Sequence, residues 1–383
     1  MLLKPYLMVP GPTAVPERIL QAMHRPMINH RGPQYEEMFR RISEGLKRVF
    51  KTQSDVLTFP AAGTGALEAA IVNTLSPGDL VLSVSTGVFG DRFAEIAGRF
   101  GAQVEKLEFP WGEGAQPEAL AERLARDSER AIKAILLTHN ETSTGVTNNI
   151  QALAKAKGDH PALILVDAVS ALAAINLEMD AWGLDVVVTG AQKALMLPPG
   201  LGFVAMNERA WEAHNRAKMP KFYWDAQAVK KSLGKGQNPY TPPVSLIFGL
   251  DEALKMIDEE GLENVFARHC LLRDALRVGL KAQGLKLLAG DEDASPAVTA
   301  VLVPEGMEGK AIQKMMRETY GITLAGGQKK LENKIIRIGH VGYVAATDIL
   351  VTLSVLDMAL TKLGLSIKLG ASVKAAQEML MEG

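Results

Sequence analysis

DVVVTGAQKALMLPPGLGFVAM, residues Asp185 to Met206, places one lysine, Lys193, between a β-branched run and a Pro-Gly turn that leads into a second apolar run. Such runs predict strands buried on both faces. Lysine is rarely buried without a partner or a task, so Lys193 at the end of such a strand requires a reason. Its position alone also fits a surface residue whose stem lies on apolar neighbours while its amine reaches water.

The same pattern extends outward from this stretch. From about residue 55 to 205, β-rich runs (DVLTFPA, LVLSVST, QVEKLEF, AIKAILLTH, ALILVDA, DVVVTGA, LGFVAM) alternate with helical patterns such as GALEAAIVNTL, FAEIAGRFG, PEALAERLARD and IQALAKAKG. Apolar strands joined by crossover helices predict an α/β domain with a mostly parallel, seven-stranded sheet covered on both sides. The segment Met219 to Ser245, rich in aromatics, lysines and prolines, breaks that rhythm and leads into an amphipathic helix. Beyond Gly261 a long helical pattern and several short runs, ending in KIIRIGHVG, predict a smaller α+β domain. The expected division is an N-terminal arm over residues 1–15, a large domain over 16–260 and a small C-terminal domain over 261–383.

Composition narrows the function classes. The 383 residues are 47% hydrophobic and 22% charged with a net charge of −1, and they contain no block of like charges suited to nucleic acid or a membrane surface. Small-molecule chemistry is the better expectation. The longest apolar run is interrupted by Asp167 and Asn176, and prolines break the first stretch of chain, so the sequence predicts a cytoplasmic protein with no membrane span. A lone cysteine, Cys270, excludes an internal disulfide and a multi-cysteine zinc site. It falls in a helical pattern as a packing residue, with His269 beside it expected on the helix surface. No histidine pair has metal-ligand spacing, and no metal is expected.

In open parallel sheets ligands sit beyond the carboxyl ends of the strands. After VLTFP comes AAGTGALEAA, where Gly63 and Thr64 open a helix whose N–H groups could hold a phosphate, or merely start it. After AILLTH comes the turn-forming NETSTGV. After LILV comes Asp167, a carboxylate that either caps a loop or faces a bound cation. After VVVTGAQ comes Lys193, which would become a usable amine nucleophile where water is scarce. Phosphate cradle, acid and amine in that order are what pyridoxal phosphate requires: an anchor for its phosphate, an anion against its pyridine nitrogen and an amine for its aldehyde.

These motifs, with VPGPTAVP near the start, YTPPVSL and IIRIGHVG, stand in an order that resembles the class V aminotransferases of pyridoxal-phosphate fold type I, in their alanine–glyoxylate and serine–pyruvate branch. The likeness spans nearly the whole chain. It implies that Lys193 is the Schiff-base lysine and proton carrier, that Asp167 pairs with the pyridinium nitrogen, and that Val169 and Phe89 pack on opposite ring faces. Relatives often have tryptophan where this chain has Phe89. Ala62, Gly63, Thr64 and Gln192 match the phosphate site, and Thr142 a hydroxyl near the phenolic oxygen. Thr241 and Tyr240 match residues that reach the partner subunit's phosphate, which implies a homodimer with shared sites. Arg337 matches the clamp for the substrate carboxylate, although an arginine inside an apolar strand also fits a structural ion pair; Gly11 matches the turn beside that carboxylate.

The implied activity is two-stage, ping-pong transfer of an amino group from alanine or serine to glyoxylate or a similar 2-oxo acid. Transaminases of the same fold acting on aspartate, phosphoserine or an aminophosphonate form the alternative, with Lys329 and Lys330 as candidate contacts to an anionic side chain or as solvated loop charges. A cysteine desulfurase would need a reactive cysteine in YGITLAGGQKKLENK, which has none. A hydrogenase-associated subunit without catalysis is the third reading, and an intact lysine, acid and arginine speak against it.

Overall fold

The computed structural model describes residues 4–382; the first three residues of the predicted arm and the last residue of the small domain lie outside the described residues. A short strand β1 (Tyr6–Met8) precedes helices α1 (Glu17–Met23) and α2 (Pro33–Phe50). Then strands and helices alternate: β2 (Val56–Phe59), α3 (Gly63–Thr74), β3 (Leu80–Ser85), α4 (Val88–Arg99), β4 (Gln103–Glu108), α5 (Pro117–Ala125) and β5 (Ile132–Thr138). A two-stranded ladder, β6 (Asn140–Glu141) with β7 (Val146–Thr147), is followed by α6 (Ile150–Ala156), β8 (Leu163–Asp167), β9 (Val186–Gly190) and β10 (Gly202–Met206).

All seven predicted strands form one sheet in the order β2-β10-β9-β8-β5-β3-β4. Only β10 runs against its neighbours, β2 and β9. The alternation of side chains along each strand explains why these runs are apolar throughout. Leu82, Ile135, Ile164 and Val187 enter the core on one face, while Val81, Leu136, Leu165 and Val186 enter the core on the other. From β3 the chain moves to the edge strand β4, then returns to β5 and proceeds the other way through β8 and β9. This reversal between β3 and β5 opens a crevice at the carboxyl ends of the strands.

After α7 (Glu208–His214), the aromatic segment carries α8 (Ala226–Leu233), capped by the Asp225 carboxylate on Gln227 N–H, before α9 (Val244–Glu260) returns to the core. The C-terminal part has α10 (Leu262–Ala282), β11 (Val298–Leu302), α11 (Gly309–Tyr320), β12 (Ile322–Gly326), β13 (Ile335–Gly339), α12 (Ala346–Lys362) and α13 (Ala371–Glu382). Its sheet has the order β1-β12-β13-β11, so the N-terminal arm crosses over and pairs in parallel with β12. No helix among the described residues is long and apolar enough to cross a membrane.

Cys270 lies in α10 as expected. His269 departs from expectation: it is fully buried rather than on the helix surface. Its Nε2 accepts from Gly342 N–H at 3.0 Å, which puts the ring proton on Nδ1, 2.7 Å from the Val265 carbonyl. The ring is thus a polar tie between α10 and the chain after β13, and helical periodicity alone gives no sign of that second neighbour.

Candidate active site

A pocket of about 250 Å³ lies at the crevice. Five strands of the large sheet deliver residues to it: Gly63 and Thr64 after β2, Phe89 after β3, Thr142 after β5, Asp167 and Val169 at β8, Gln192 and Lys193 after β9; Gly11 comes from the arm. Residues scattered over most of the large domain's sequence therefore meet because parallel strands all end at one edge.

Lys193 occupies the floor. Its Nζ donates to the Pro10 carbonyl at 2.6 Å. Burial, then the charge of Arg337, pull its pKa down to about 8, while Asp167 opposes the shift. Gly11, at φ +133°, passes so close that a Cβ there would lie 2.4 Å from Nζ. Only glycine tolerates both that backbone conformation and that approach. The nearest atoms Gly11 makes room for belong to the lysine.

Asp167 is buried at the end of β8, and its Oδ1 accepts from Val169 N–H at 2.9 Å. Burial lifts its pKa to about 6, with Glu141 adding to the shift and Lys193 and Arg92 opposing it. A carboxyl poised there ionises readily against a cation. Val169 packs next to Gly63, where a Cβ would fall 2.6 Å from Val169 Cγ2. Thr142 and Asn140 are fixed through one hydroxyl: Thr142 Oγ1 and Asn140 Nδ2 both donate to Ser170 Oγ, at 2.8 and 2.9 Å.

Two helices, α3 and α4, begin at this edge, and the structure distinguishes their N-termini. At α4, Glu141 Oε2 accepts from Phe89 N–H at 3.0 Å and Gly90 N–H at 3.1 Å, and Ser143 Oγ accepts from Val88 N–H. At α3 no side chain caps the N-terminus. Beside it Gln192 Oε1 is buried without a hydrogen-bond partner, a condition that marks a missing polar neighbour. Of the two termini, the α3 end at Gly63 and Thr64 is therefore the one left open to an anion. An open helix terminus with no side chain in its way, an orphaned amide, an acid and a desolvated amine around one pocket fit pyridoxal phosphate.

Arg337 is buried in β13. Its Nε donates to Gly326 O at 2.8 Å and Nη1 to Thr142 O at 2.9 Å. Among the described residues it forms no ion pair, so the structural-ion-pair alternative has no partner here. Burial lowers its pKa to about 10, which still leaves it charged. Two carbonyls orient the guanidinium while its charge remains uncompensated by a salt bridge.

Not every expected residue lines the pocket. Ala62 is the N-cap of α3, its carbonyl accepting from Gly65 and Ala66 N–H. Arg337 is not among the lining residues, and its Nη1 donates to the carbonyl of the pocket's Thr142. Tyr240 stacks on Phe222 and Tyr223, Thr241 is exposed, and neither lines this chain's pocket. Lys330 lies over the Trp111 ring at 4.1 Å. In turn, the pocket includes Arg92, Asn140 and Ser170, which sequence reasoning missed. Arg92, one turn after Phe89 and 4.8 Å from its ring centroid, follows from helical spacing once Phe89 is placed at the site.

A doubly covered sheet with a phosphate cradle, an acid and a desolvated lysine at its ligand edge defines the fold type I pyridoxal-phosphate transferases. The chain belongs to the class V aminotransferases, whose family model (Aminotransferase class-V) matches residues 6–349. It is 46% identical over 97% of its length to a soluble hydrogenase 42 kDa subunit of Anabaena cylindrica, covering 97% of that protein. It is 42% identical over 97% to the L-aspartate–glyoxylate aminotransferase of Paracoccus denitrificans, covering 95% of it. It is 41% identical over 98% to the serine–glyoxylate aminotransferase of Arabidopsis thaliana, covering 95% of it. The solved alanine–glyoxylate aminotransferase of Nostoc superposes with a TM-score of 0.88 at 32% identity, over 94% of this chain and 98% of that one. The chain is thus a pyridoxal-phosphate-dependent transaminase of the alanine/serine–glyoxylate branch.

Proposed function

We propose that this enzyme moves the amino group of alanine or serine to glyoxylate or a similar small 2-oxo acid in a ping-pong cycle. The observation that carries the reading is the buried Arg337 guanidinium, oriented by two carbonyls, unpaired with any carboxylate among the described residues, and bonded to Thr142 of the pocket lining. Such a group is suited to a substrate carboxylate. The glyoxylate named for three of the relatives supports the acceptor.

Pyridoxal phosphate supplies an aldehyde for the amino group and a ring that accepts electrons as the α-proton leaves. Lys193, whose pKa burial brings down to about 8, would hold the cofactor and, once released, serve as the proton carrier. Asp167 would set its charge against the ring nitrogen, with Val169 and Phe89 as the ring's neighbours. Gly63, Thr64 and Gln192, with Ala62 in the same turn, would hold the phosphate, Thr142 would offer its hydroxyl toward the phenolic oxygen, and Gly11 would border the site from the arm. Thr241 and Tyr240 serve a second subunit's site in a homodimer. Support for this is that neither residue lines the chain's own pocket and that Tyr240 stacks on Phe222, which is 78% exposed.

Arg92 favours a second reading, a dicarboxylic donor such as aspartate, because it is a further cation lining the pocket. A half-reaction screen decides. The holoenzyme is mixed with single amino acids and the change in cofactor absorbance is timed. Alanine or serine should react faster than aspartate or phosphoserine, and the reverse order overturns the proposal. Absence of any cofactor band after reconstitution would instead favour the non-catalytic role suggested by the hydrogenase-subunit relative.

A further inference from the structure

Glu141 is wholly buried beside the pocket but does not line it. Its carboxylate collects donors from two separate pieces of chain. Oε2 takes the N–H groups of Phe89 and Gly90 at the start of α4. Oε1 takes Ser143 N–H at 3.0 Å and Ser143 Oγ–H at 2.5 Å. Ser143 Oγ in turn accepts from Val88 N–H, so the first three N–H groups of α4 are all satisfied by the turn between β6 and β7. That turn carries Thr142, whose hydroxyl belongs to the pocket and whose carbonyl receives Arg337 Nη1. Gly87 allows the approach, since a Cβ there would lie 2.6 Å from the Glu141 side chain.

We propose that Glu141 is a positioning residue for the transamination site, joining the Phe89 wall to the Thr142–Arg337 carboxylate clamp in one buried hydrogen-bonded unit. The assignment rests on the function proposed above for its substrate arm. A helix N-terminus offers partial positive charge, and a buried carboxylate held by three N–H groups and a hydroxyl completes it. Burial pushes the pKa of the Glu141 carboxyl above its ordinary value while these donors pull it back, and in its ionised form it raises that of Arg337. Glutamine has the size of glutamate but only one acceptor oxygen. Its amide NH₂ must therefore oppose either the α4 N–H groups or those of Ser143, which detaches one half of the unit.

The test is Glu141→Gln, with Ser143→Ala as a milder second variant read in the same way if the first does not fold. In the cofactor-free protein, amide exchange over 86–92 or 142–146 should accelerate about tenfold or more, and affinity for pyridoxal phosphate should fall about tenfold. In the holoenzyme KM for the amino donor should rise about tenfold, and by much less on an Arg337→Gln background because the two residues act in one chain of contacts. Faster exchange with cofactor affinity and KM unchanged would reduce Glu141 to a structural residue and overturn the proposal, as would an equal KM effect on both backgrounds. If the unmutated protein transfers no amino group, the functional reading falls, and the exchange and cofactor-affinity arms still decide whether Glu141 organises the pocket.

Discussion

Lys193 Nζ and the Pro10 carbonyl are hydrogen-bonded at 2.6 Å, so the N-terminal arm closes directly over the amine that follows β9. The arm is anchored elsewhere, in the small sheet beside β12, and Thr13 Oγ1 donates to the Lys193 carbonyl. The geometry of the amine is therefore set jointly by the large sheet and by a strand of the small one.

Gly11→Ala should disable the enzyme while leaving it folded. The added Cβ would meet Nζ at 2.4 Å and sit at φ +133°, so either the arm or the lysine must move. A displacement of about 1 Å at the reacting group costs on the order of 100-fold in kcat. Steady-state kinetics beside a thermal melt checks this; kcat within about twofold of the parent would show that the arm does not position the amine.

Lys193→Met should abolish the borohydride-fixed attachment of the cofactor and change how stability depends on pH. The ordinary lysine value of 10.5 falls to about 8 in the folded protein, so the charged amine destabilises the fold fully below pH 8. As pH rises from about 8 to 10.5, the folded state releases its proton first, and the parent gains stability relative to the variant. Urea denaturation of both cofactor-free proteins across that window measures the difference. Parallel profiles would mean that the amine is solvated.

Asp167→Asn should lower kcat by about 100-fold or more, since an amide cannot supply the anion opposite the ring nitrogen. It should not weaken the cofactor-free fold at neutral pH. The carboxyl, ordinarily near 3.8, is raised to about 6, so its ionisation costs stability that is lost as pH rises through that interval. A large loss of stability at neutral pH would instead make Asp167 a structural cap.

Arg337→Gln should raise KM for both amino acid and oxo acid by roughly 100-fold, the consequence of losing a charge-assisted contact worth about 3 kcal/mol. Initial-rate measurements with each substrate varied separate this from a loss of kcat. An unchanged KM would remove Arg337 from substrate binding.

Acid should unfold the protein through its buried histidines. His139 and His269 are lowered from 6.5 to about 4 and His340 to about 3, each chiefly by burial. Below pH 6.5 the unfolded chain takes up protons that the folded one refuses, so each group removes about 1.4 kcal/mol of stability per pH unit until its folded value is reached. Replacing His269 by glutamine, which keeps an acceptor toward Gly342 N–H, should flatten the profile between pH 6 and about 4. Chemical denaturation at a series of pH values reads the slope.

The sequence determined the large sheet. Its seven runs are apolar at consecutive positions because each strand faces a core on both sides, and that local signal carries the fold class, the strand ends and hence Asp167 and Lys193. The candidates just after β2, Gly63 and Thr64, were legible for the same reason, whereas Thr142 was legible by resemblance. Arg337 and Gly11 were legible by resemblance, since no local rule brings β13 or the arm to the sheet's ligand edge. Tertiary structure alone decided what depends on contacts between segments distant in sequence. Examples are the arm's parallel pairing with β12, the burial of His269 against Gly342, and the capture of the α4 terminus by Glu141, which leaves the α3 terminus for an anion. Periodicity reports which face of an element is apolar; it carries no information about which polar atom of another element will complete a buried hydrogen bond.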